Sequence, residues 1–340
     1  MKEFELPIIR FEFTTPLHIS NERSDYAKGS AYLHSDTITS AIYFAWVQLG
    51  KAEWIPSSKG DSSFVLSSLF PFSQDIENKE RIYFLPRPML RLKNEESEEL
   101  STKLRKQLKG IQYVDHRIFS KMLLGKPVPA TEGNVSGKFR SLAKLPDKII
   151  HSQVIPRAAV SRSGQDDTTI FYMERHYFSE NSGLYVLAQY DNAEVENRVK
   201  IAIDFLSDEG LGTDRNIGNG KFKAHCEGSL NFICPVEPEY GINLSLFCPS
   251  SKTELEEMLK GEQVGYNLIR RGGWLSEPYN TWRKKSVYML TEGNVFNLKH
   301  KIETGKATIL GKTEDIKPDG VHPPMQHPVW RSGRSIFIPF

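Results

Sequence analysis

The sequence predicts an α+β fold built from two ferredoxin-like (RRM-type) β-α-β units with antiparallel sheets. Apolar residues at every second position indicate half-buried strands in residues 9–13 and again in residues 242–246. Short helical segments separate the predicted strands, so a strand-helix-strand order appears in each half of the chain. Short helices between strands that can pair antiparallel favour a split β-α-β sheet over a doubly wound parallel sheet. Such sheets carry their helices on one face and commonly bind RNA on the other.

The elements follow from local patterns. The first strand ends at Pro16, and Ser35 or Asp36 is the predicted cap of a helix that Gly50 ends. Residues 51–80 are rich in Ser and Gly, which predicts a loop. The later predicted elements are a strand at 81–85, a surface helix ending at Gly110, a projecting hairpin at about 151–178, a strand at 184–188, a helix at about 192–207 with Asp191 and Glu194 at capping-box spacing, a strand at 222–226, and a helix begun by Ser251 and Glu254.

Two domains are predicted, because 340 residues suit two units of ordinary size and prolines cluster between two strands. The N-terminal domain covers residues 1–235, with insertions at about 51–130. The C-terminal domain covers residues 236–340 and is a degenerate ferredoxin-like unit.

Composition limits the function. The 44 Lys and Arg residues against 42 Asp and Glu residues give a formal charge of +2, so nucleic acid would have to bind at a local site. The N-terminus lacks the apolar segment of a secretory signal and no stretch suits a membrane helix, which predicts a cytoplasmic protein that does not bind membranes. The three cysteines have no C-x-x-C spacing, so we expect no metal and no cofactor.

The most informative segment is EGLGTDRNIGNGKF, at residues 209–222. Its four glycines expose backbone amides that can approach phosphates, and Arg215 and Lys221 can neutralise them. It is not a nucleotide P-loop, because Arg215 stands where the first glycine belongs, and the dinucleotide fingerprint also fails. The alternative is that the glycines form a tight helix-to-strand turn.

The form G-x-G-x-x-R-x-x-G-x-G-K-F resembles the signature of the RAMP superfamily of CRISPR RNA-binding proteins. Further motifs in the same order resemble the handle-binding subunit, counted as subunit four, of type III-A (Csm) complexes. Ala158 and Ala159 depart from that family, whose thumb hairpin more usually has a basic or polar pair there. The motifs are TPLHI at 15–19, HSDT at 34–37, RAAVSRSG at 157–164, IFY at 170–172, RKKSV at 283–287, TEG at 291–293 and IFIP at 336–339.

The resemblance implies a non-catalytic subunit that anchors the repeat-derived 5′ handle of the CRISPR RNA (crRNA) in antiviral defence. It also implies two protein partners, the large polymerase-palm subunit and the backbone RAMP subunit. Single-stranded RNA is held by cations and amides on its phosphates and by apolar or aromatic surfaces against its bases. The residues predicted to bind RNA are Gly210, Gly212, Arg215, Asn216, Gly218, Gly220 and Lys221 in the loop, Arg157, Arg162 and Phe171 in the hairpin, His18, His34 and Ser35 in the N-terminal motifs, and Arg270, Arg271, Trp274, Arg283, Lys284 and Lys285 near the C-terminus.

The alternative is a metal-independent endoribonuclease that processes CRISPR repeat RNA with His18 or His34 as general acid or base. A single histidine at a strand end or a helix start is more often structural, and no neighbouring Lys or Tyr completes a site. We therefore expect no catalytic residue. A purely protein-binding module would leave the loop cations without a ligand.

Overall fold

A computed structural model of the chain describes residues 1–20, 27, 29–57, 62–90, 101–129, 131–160, 168–226, 228–302 and 305–340. Its α-helices are α1 (Ser35–Gln48), α2 (Thr102–Lys109), α3 (His116–Leu123), α4 (Ala193–Glu209) and α5 (Lys252–Met258). None of the helices in this described part is both long enough and apolar enough to cross a membrane.

The strands are short apart from a few long central ones. In chain order they are β1 (Lys2–Phe13), β2 (Ile19–Ser20), β3 (Gly29–Ser30), β4 (Phe64–Leu66), β5 (Phe70–Gln74), β6 (Arg81–Pro86), β7 (Tyr113–Asp115), β8 (Val135–Ser136), β9 (Phe139–Arg140), β10 (Ile150–Ala159), β11 (Thr169–Phe178), β12 (Gly183–Tyr190), β13 (Phe222–His225), β14 (Ser229–Cys234), β15 (Tyr240–Asn243), β16 (Leu268–Arg271), β17 (Val287–Leu290), β18 (Val295–Asn297), β19 (Thr308–Leu310), β20 (Thr313–Asp315), β21 (Trp330–Ser332) and β22 (Ser335–Pro339).

A large sheet is centred on β1, with the strand order β13-β1-β12-β5-β6-β7-β9-β8. The long β1 strand pairs with β12 on one side, while its end pairs with β13 and its beginning with β14 on the other. These pairs are antiparallel, and the β7–β9 pair is parallel. The predicted mixed fold with antiparallel sheets is therefore confirmed at this level.

Both faces of the β1 sheet are buried. Ile9 and Phe11 of β1 pack with α1 and α4 in one hydrophobic core. Leu6 and Ile8 point to the other face and belong to a second core, which includes α3 and strands of the C-terminal half. Side chains alternate between the two faces of a strand, so the two cores take alternate residues of β1. The expectation of an open sheet face free to bind RNA is therefore wrong.

The C-terminal half contributes a smaller antiparallel sheet with the order β18-β15-β22-β19. This order differs from that of the β1 sheet, and α5 follows its first strand. Ile242, Val295 and Ile336 of this sheet lie in the core that covers β1, so the two halves share a hydrophobic core.

Residues 51–80 are not the predicted loop, because β4 and β5 lie within them and pair with β12 inside the large sheet. Several of the serines that suggested a loop are buried and hydrogen-bonded. Ser67 accepts a hydrogen bond from the amide of Leu187 at 2.9 Å, and Ser73 lies 3.0 Å from the hydroxyl of Ser182. Small hydroxyl side chains can thus be buried when the backbone nearby satisfies them.

Two predicted helix caps are also wrong. The N-cap of α1 is His34, and Ser35 and Asp36 lie in its first turn. The N-cap of α4 is Asn192, one residue after the predicted Asp191, and its side chain accepts a hydrogen bond from the amide of Val195 at 3.0 Å. The helices themselves lie where the sequence predicts them.

A buried ion cluster joins the two halves beside α1. Asp36 is 3% exposed and accepts two hydrogen bonds from Arg271 at 3.0 Å and one from Arg331 at 2.7 Å. Burial alone would raise the pKa of Asp36, but the two guanidinium groups lower it below its ordinary value. The cluster therefore fixes a charged carboxylate between the N-terminal helix and the C-terminal half.

We predict that Asp36→Ala lowers the free energy of unfolding by about 3–5 kcal/mol, because it leaves buried arginine charge uncompensated. Urea unfolding would measure the loss. The control Glu80→Ala removes an exposed pair with Arg117 and should cost less than about 1 kcal/mol. Equal losses for the two variants would contradict a stabilising role for the buried cluster.

Candidate RNA interface

The glycine-rich loop links α4 to β13 and packs directly against the backbone of residues 16–18. The amide of Thr213 donates to the carbonyl of His18, and that of Gly220 to the carbonyl of Pro16, both at 2.9 Å. A Cβ on Gly212 would lie 2.4 Å from the His18 oxygen, which is closer than real Cβ contacts allow. Gly212 is therefore required for this close backbone packing.

Many amides of the loop are already hydrogen-bonded within the protein. Leu211 donates to the carbonyl of Gly220 at 2.9 Å, Gly218 to that of Arg215 at 2.9 Å, and Lys221 to the hydroxyl of Thr15 at 2.8 Å. These amides are not available to a phosphate in this structure. The loop packs as the tight turn that the sequence left open as an alternative, and its exposed side chains are the groups left free to meet a ligand.

The two loop cations differ in accessibility. The Arg215 guanidinium is half-buried and lies 5.1 Å from the ring centroid of Phe44. Lys221 is exposed and makes no ion pair with any residue that the structure describes. Asn216 is also exposed. Lys221 is thus the loop cation best placed to meet an external anion.

The predicted hairpin consists of β10 and β11, which pair antiparallel over their whole length. Its Arg157 forms an ion pair with Asp214 of the glycine-rich loop, and its guanidinium lies 5.8 Å from the ring centroid of Phe171. The structure therefore brings the predicted hairpin residues and the loop together. Arg162 lies outside the described residues.

The opposite face of the hairpin is apolar and exposed. Pro156 pairs with Tyr172 and Ala158 with Ile170, and Ile170 is 64% exposed. This face was not predicted, because the hairpin residues assigned to RNA from the sequence, Arg157, Arg162 and Phe171, are all basic or aromatic. The period-2 alternation that places Pro156 and Ala158 on one face would have revealed it.

His18 lies beneath the base of the hairpin and is fully buried. Its Nδ1 atom is 2.5 Å from the carbonyl oxygen of Glu174. Nearby, burial lowers the pKa of His176, although the charge of Glu174 opposes the shift. A ring without solvent exposure cannot reach an RNA hydroxyl in this structure, so His18 is a packing residue.

His34 and Ser35 both contact the C-terminal half. His34 Nδ1 lies 2.8 Å from a carboxylate oxygen of Glu292. Ser35 is buried, and its hydroxyl accepts a hydrogen bond from the amide of Leu246 at 2.9 Å. Burial alone would lower the pKa of His34, but Glu292 raises it above 6.5, while His34 lowers the pKa of Glu292 below 4.5.

The C-terminal basic stretch divides into buried and exposed members. Arg271 is bound to Asp36, as described above. Burial lowers the pKa of the half-buried Lys284, and the nearby charge of Arg331 lowers it further. Arg270 donates a hydrogen bond to the Ser286 hydroxyl at 3.2 Å, and Lys285 donates to a carboxylate oxygen of Asp319 at 2.7 Å. The guanidinium of Arg283 lies 4.8 Å from the ring centroid of Trp274.

Two family comparisons cover most of the chain. Residues 10–223 match the RAMP superfamily, and residues 237–340 match the CRISPR Csm4 C-terminal domain. The chain belongs to the RAMP superfamily and is of the Csm4 type. The resemblance seen in the loop and the shorter motifs is thus confirmed.

Relatives and solved structures support this membership. The chain is 26% identical to the "CRISPR system Cms protein Csm4" of Thermococcus onnurineus over 68% of this chain and 69% of that protein. It is 22% identical to the protein of that name from Methanocaldococcus jannaschii, over 92% of each. The fold of the chain also matches that of a Csm3-Csm4 subcomplex structure with a TM-score of 0.59 and 18% identity, over 98% of this chain and 99% of that chain. It matches a Csm1-Csm4 cassette structure with pppApA with a TM-score of 0.57 and 18% identity, over 99% of this chain and 97% of that chain.

We predict that Gly220→Ala destabilises the protein more than Gly218→Ala. Both glycines have positive φ, which costs a side-chain-bearing residue about 1–2 kcal/mol. A Cβ on Gly220 would also lie 1.9 Å from the Leu211 oxygen, whereas one on Gly218 meets open space. That overlap should cost about 1–3 kcal/mol more. Thermal unfolding of both variants would test this, and equal Tm values would contradict the packing role.

We predict that the coupling between His34 and Glu292 depends on pH. The pKa of His34 is raised by folding, so its contribution to stability is complete below pH 6.5 and is lost as the pH rises through the folded pKa. The pKa of Glu292 is lowered by folding, so its contribution is complete above pH 4.5 and is lost as the pH falls through the folded pKa. The coupling should therefore be greatest between pH 4.5 and 6.5.

A double-mutant cycle with His34→Gln and Glu292→Gln would measure this coupling in unfolding experiments at about pH 5.5 and about pH 9. The coupling free energy should be smaller at the higher pH. The same coupling at both values would show that the pair is not ionised in the way we describe.

Proposed function

We propose that this chain is a non-catalytic RNA-binding subunit of a type III-A CRISPR (Csm) interference complex, where it anchors the repeat-derived 5′ handle of the crRNA. The observation that carries the proposal is the Arg157–Asp214 ion pair, which joins the hairpin to the RAMP glycine-rich loop. The pair holds one face of the hairpin against the loop that bears Lys221, while the opposite, apolar face of the hairpin stays exposed.

The proposed contacts suit single-stranded RNA. Exposed cations such as Lys221 neutralise phosphates, and apolar or aromatic side chains such as Ile170 and Tyr172 pack against unstacked bases. With a formal charge of +2 the chain has little general attraction for RNA, so specific local contacts must supply the affinity.

The domain organisation that supports this role is a ferredoxin-like unit in residues 1–235 followed by a degenerate unit in residues 236–340. The order β13-β1-β12-β5, with α1 and α4 on one face, is that of a split β-α-β sheet. We propose that the β10–β11 hairpin is the thumb of this domain. We propose that the second unit is a degenerate one, and its strand order β18-β15-β22-β19, which differs from that of the first unit, supports this.

We propose two protein partners in the cytoplasm. The similar solved structures pair Csm4 with Csm1 and with Csm3. By analogy, this chain would dock the large polymerase-palm subunit on one side and the backbone RAMP subunit on the other, and it would take part in antiviral defence through that assembly.

The endoribonuclease hypothesis receives no support from the histidines. His18 is buried beneath the hairpin, and His34 is held by Glu292 at the junction of the halves. An acid-base pair must reach the 2′-hydroxyl and the leaving oxygen together. We therefore retain the non-catalytic role as our proposal.

To test the function, the chain would be co-expressed with Csm partner subunits and a CRISPR array, and the RNA that co-purifies with it would be sequenced. We predict guides that share one 5′ repeat-derived handle, and a lower yield of them with Lys221→Glu because the loop cation is lost. Lys126→Glu makes the same charge change at another exposed position and serves as the control.

Two results would contradict the proposal. If complexes assembled without handle-bearing RNA, the chain would not anchor the handle. Cleavage of repeat RNA at one position by the isolated chain would establish the endoribonuclease hypothesis instead. Equal RNA yields from the Lys221→Glu and Lys126→Glu variants would show that the loop cation does not contribute to RNA binding.

A further inference from the structure

Two cavities adjoin between the base of the hairpin and the junction of the two halves. The larger has a volume of about 610 Å³ and the smaller about 440 Å³. Tyr32 and Gln112 line both of them. The two cavities therefore adjoin, and together they are named the groove. Most of the groove lining comes from residues that the sequence did not assign to any site.

The groove starts beside the proposed thumb and ends beside α1. Ser152 of β10 and His176 of β11 line the smaller cavity. The His34–Glu292 ion pair lies in the wall of the larger cavity. The groove thus extends from the hairpin side of the molecule to the interface between its halves.

The larger cavity suits a flat ring with a polar edge. The rings of Tyr32 and Tyr113 lie with their centroids 5.0 Å apart, and Phe70 and Met89 add further apolar wall. Burial raises the pKa of both tyrosines, so their rings stay neutral beside a polyanion. Apolar aromatic walls with a few polar groups at one end are typical of sites that bind rings.

The smaller cavity carries two exposed lysines. Lys138 and Lys148 line it, and neither makes an ion pair with a residue that the structure describes. Asp147 and the half-buried Glu174 also line it and offset the lysine charges, and Glu174 accepts a hydrogen bond from the amide of Gly29 at 2.9 Å. The two ammonium groups have no ion-pair partner among the described residues, so each is able to meet a phosphate.

We propose that this groove binds a single-stranded RNA segment, with one nucleobase in the larger cavity and the adjoining phosphates beside Lys138 and Lys148. The proposal rests on the proposed function, because it names the route of the same handle RNA across the protein. The unpaired lysines and the aromatic wall favour RNA over an apolar peptide from a partner subunit.

The first test is photocrosslinking from the neck of the groove. Gln112 is exposed and lines both cavities, so Gln112→p-benzoyl-phenylalanine places a reactive ring there without removing a buried contact. The variant would be assembled in the complete complex with its co-purified RNA and irradiated. Lys126→p-benzoyl-phenylalanine is the matched control outside the groove.

We expect a crosslink from position 112 to the handle of the RNA and none from position 126. A complex that carries handle-bearing RNA but crosslinks only to a protein subunit, or to nothing, would overturn the groove while leaving the proposed function intact. A complex without handle-bearing RNA would overturn both.

The second test measures how the affinity of the complex for handle-bearing RNA depends on salt concentration. Each phosphate contact contributes about 0.7 to the slope of log affinity against log salt for a single strand, so Lys138→Ala with Lys148→Ala should reduce that slope by about 1.4. The control pair Lys126→Ala with Lys260→Ala should leave it unchanged. An unchanged slope in the groove variant would show that the two lysines do not meet phosphates.

Discussion

The structure depends on how the first turn of helix α1 is fastened to the C-terminal half. Three consecutive residues each make a separate long-range contact there. His34 pairs with Glu292, Ser35 accepts from the amide of Leu246, and Asp36 binds two arginines. Residues this close in sequence cannot rotate independently once the helix has formed, so the three contacts fix the angle between the halves. A buried carboxylate between guanidinium groups is also intolerant of displacement, since each charge would lose its partner.

Fixing that angle also determines which surfaces stay open for the RNA binding that we propose. The C-terminal sheet and α3 cover the face of the β1 sheet that an RRM would present to RNA, and both sheets share the core on that side. Within the part of the chain that the structure describes, the surfaces that we propose for RNA are the hairpin, the glycine-rich loop and the groove at the junction. The same junction that stabilises the fold therefore forms the end wall of the groove, because His34 and Glu292 line the larger cavity.

Strands and helices with a local residue pattern were predictable from the sequence, whereas contacts between residues far apart in the chain were not. Alternation identified β1 and β12, and an apolar stripe identified α4. It could not show that Arg271 is bound to Asp36, because no local pattern marks a partner 235 residues away. Buried serines in residues 51–80 concealed β4 and β5 for a similar reason, since their hydrogen-bonding groups come from distant strands. The groove was missed because most of its walls come from short segments that carry no motif, and the motif residues His34, Thr291 and Glu292 form only one end of it.

The glycine-rich loop shows how a family signature can act on a ligand indirectly. Gly212 permits a backbone contact with His18 that a Cβ would block, and Gly210 and Gly220 permit close contacts within the loop. The amides of Thr213 and Gly220 donate to the carbonyls of His18 and Pro16. The tight turn holds Asp214 at positive φ, where its carboxylate meets Arg157 of the hairpin. The signature therefore positions the hairpin as well as carrying Lys221. Loss of a loop glycine should disturb RNA binding through the hairpin even where no phosphate touches the loop, because the turn sets the position of Asp214 and Asp214 holds Arg157.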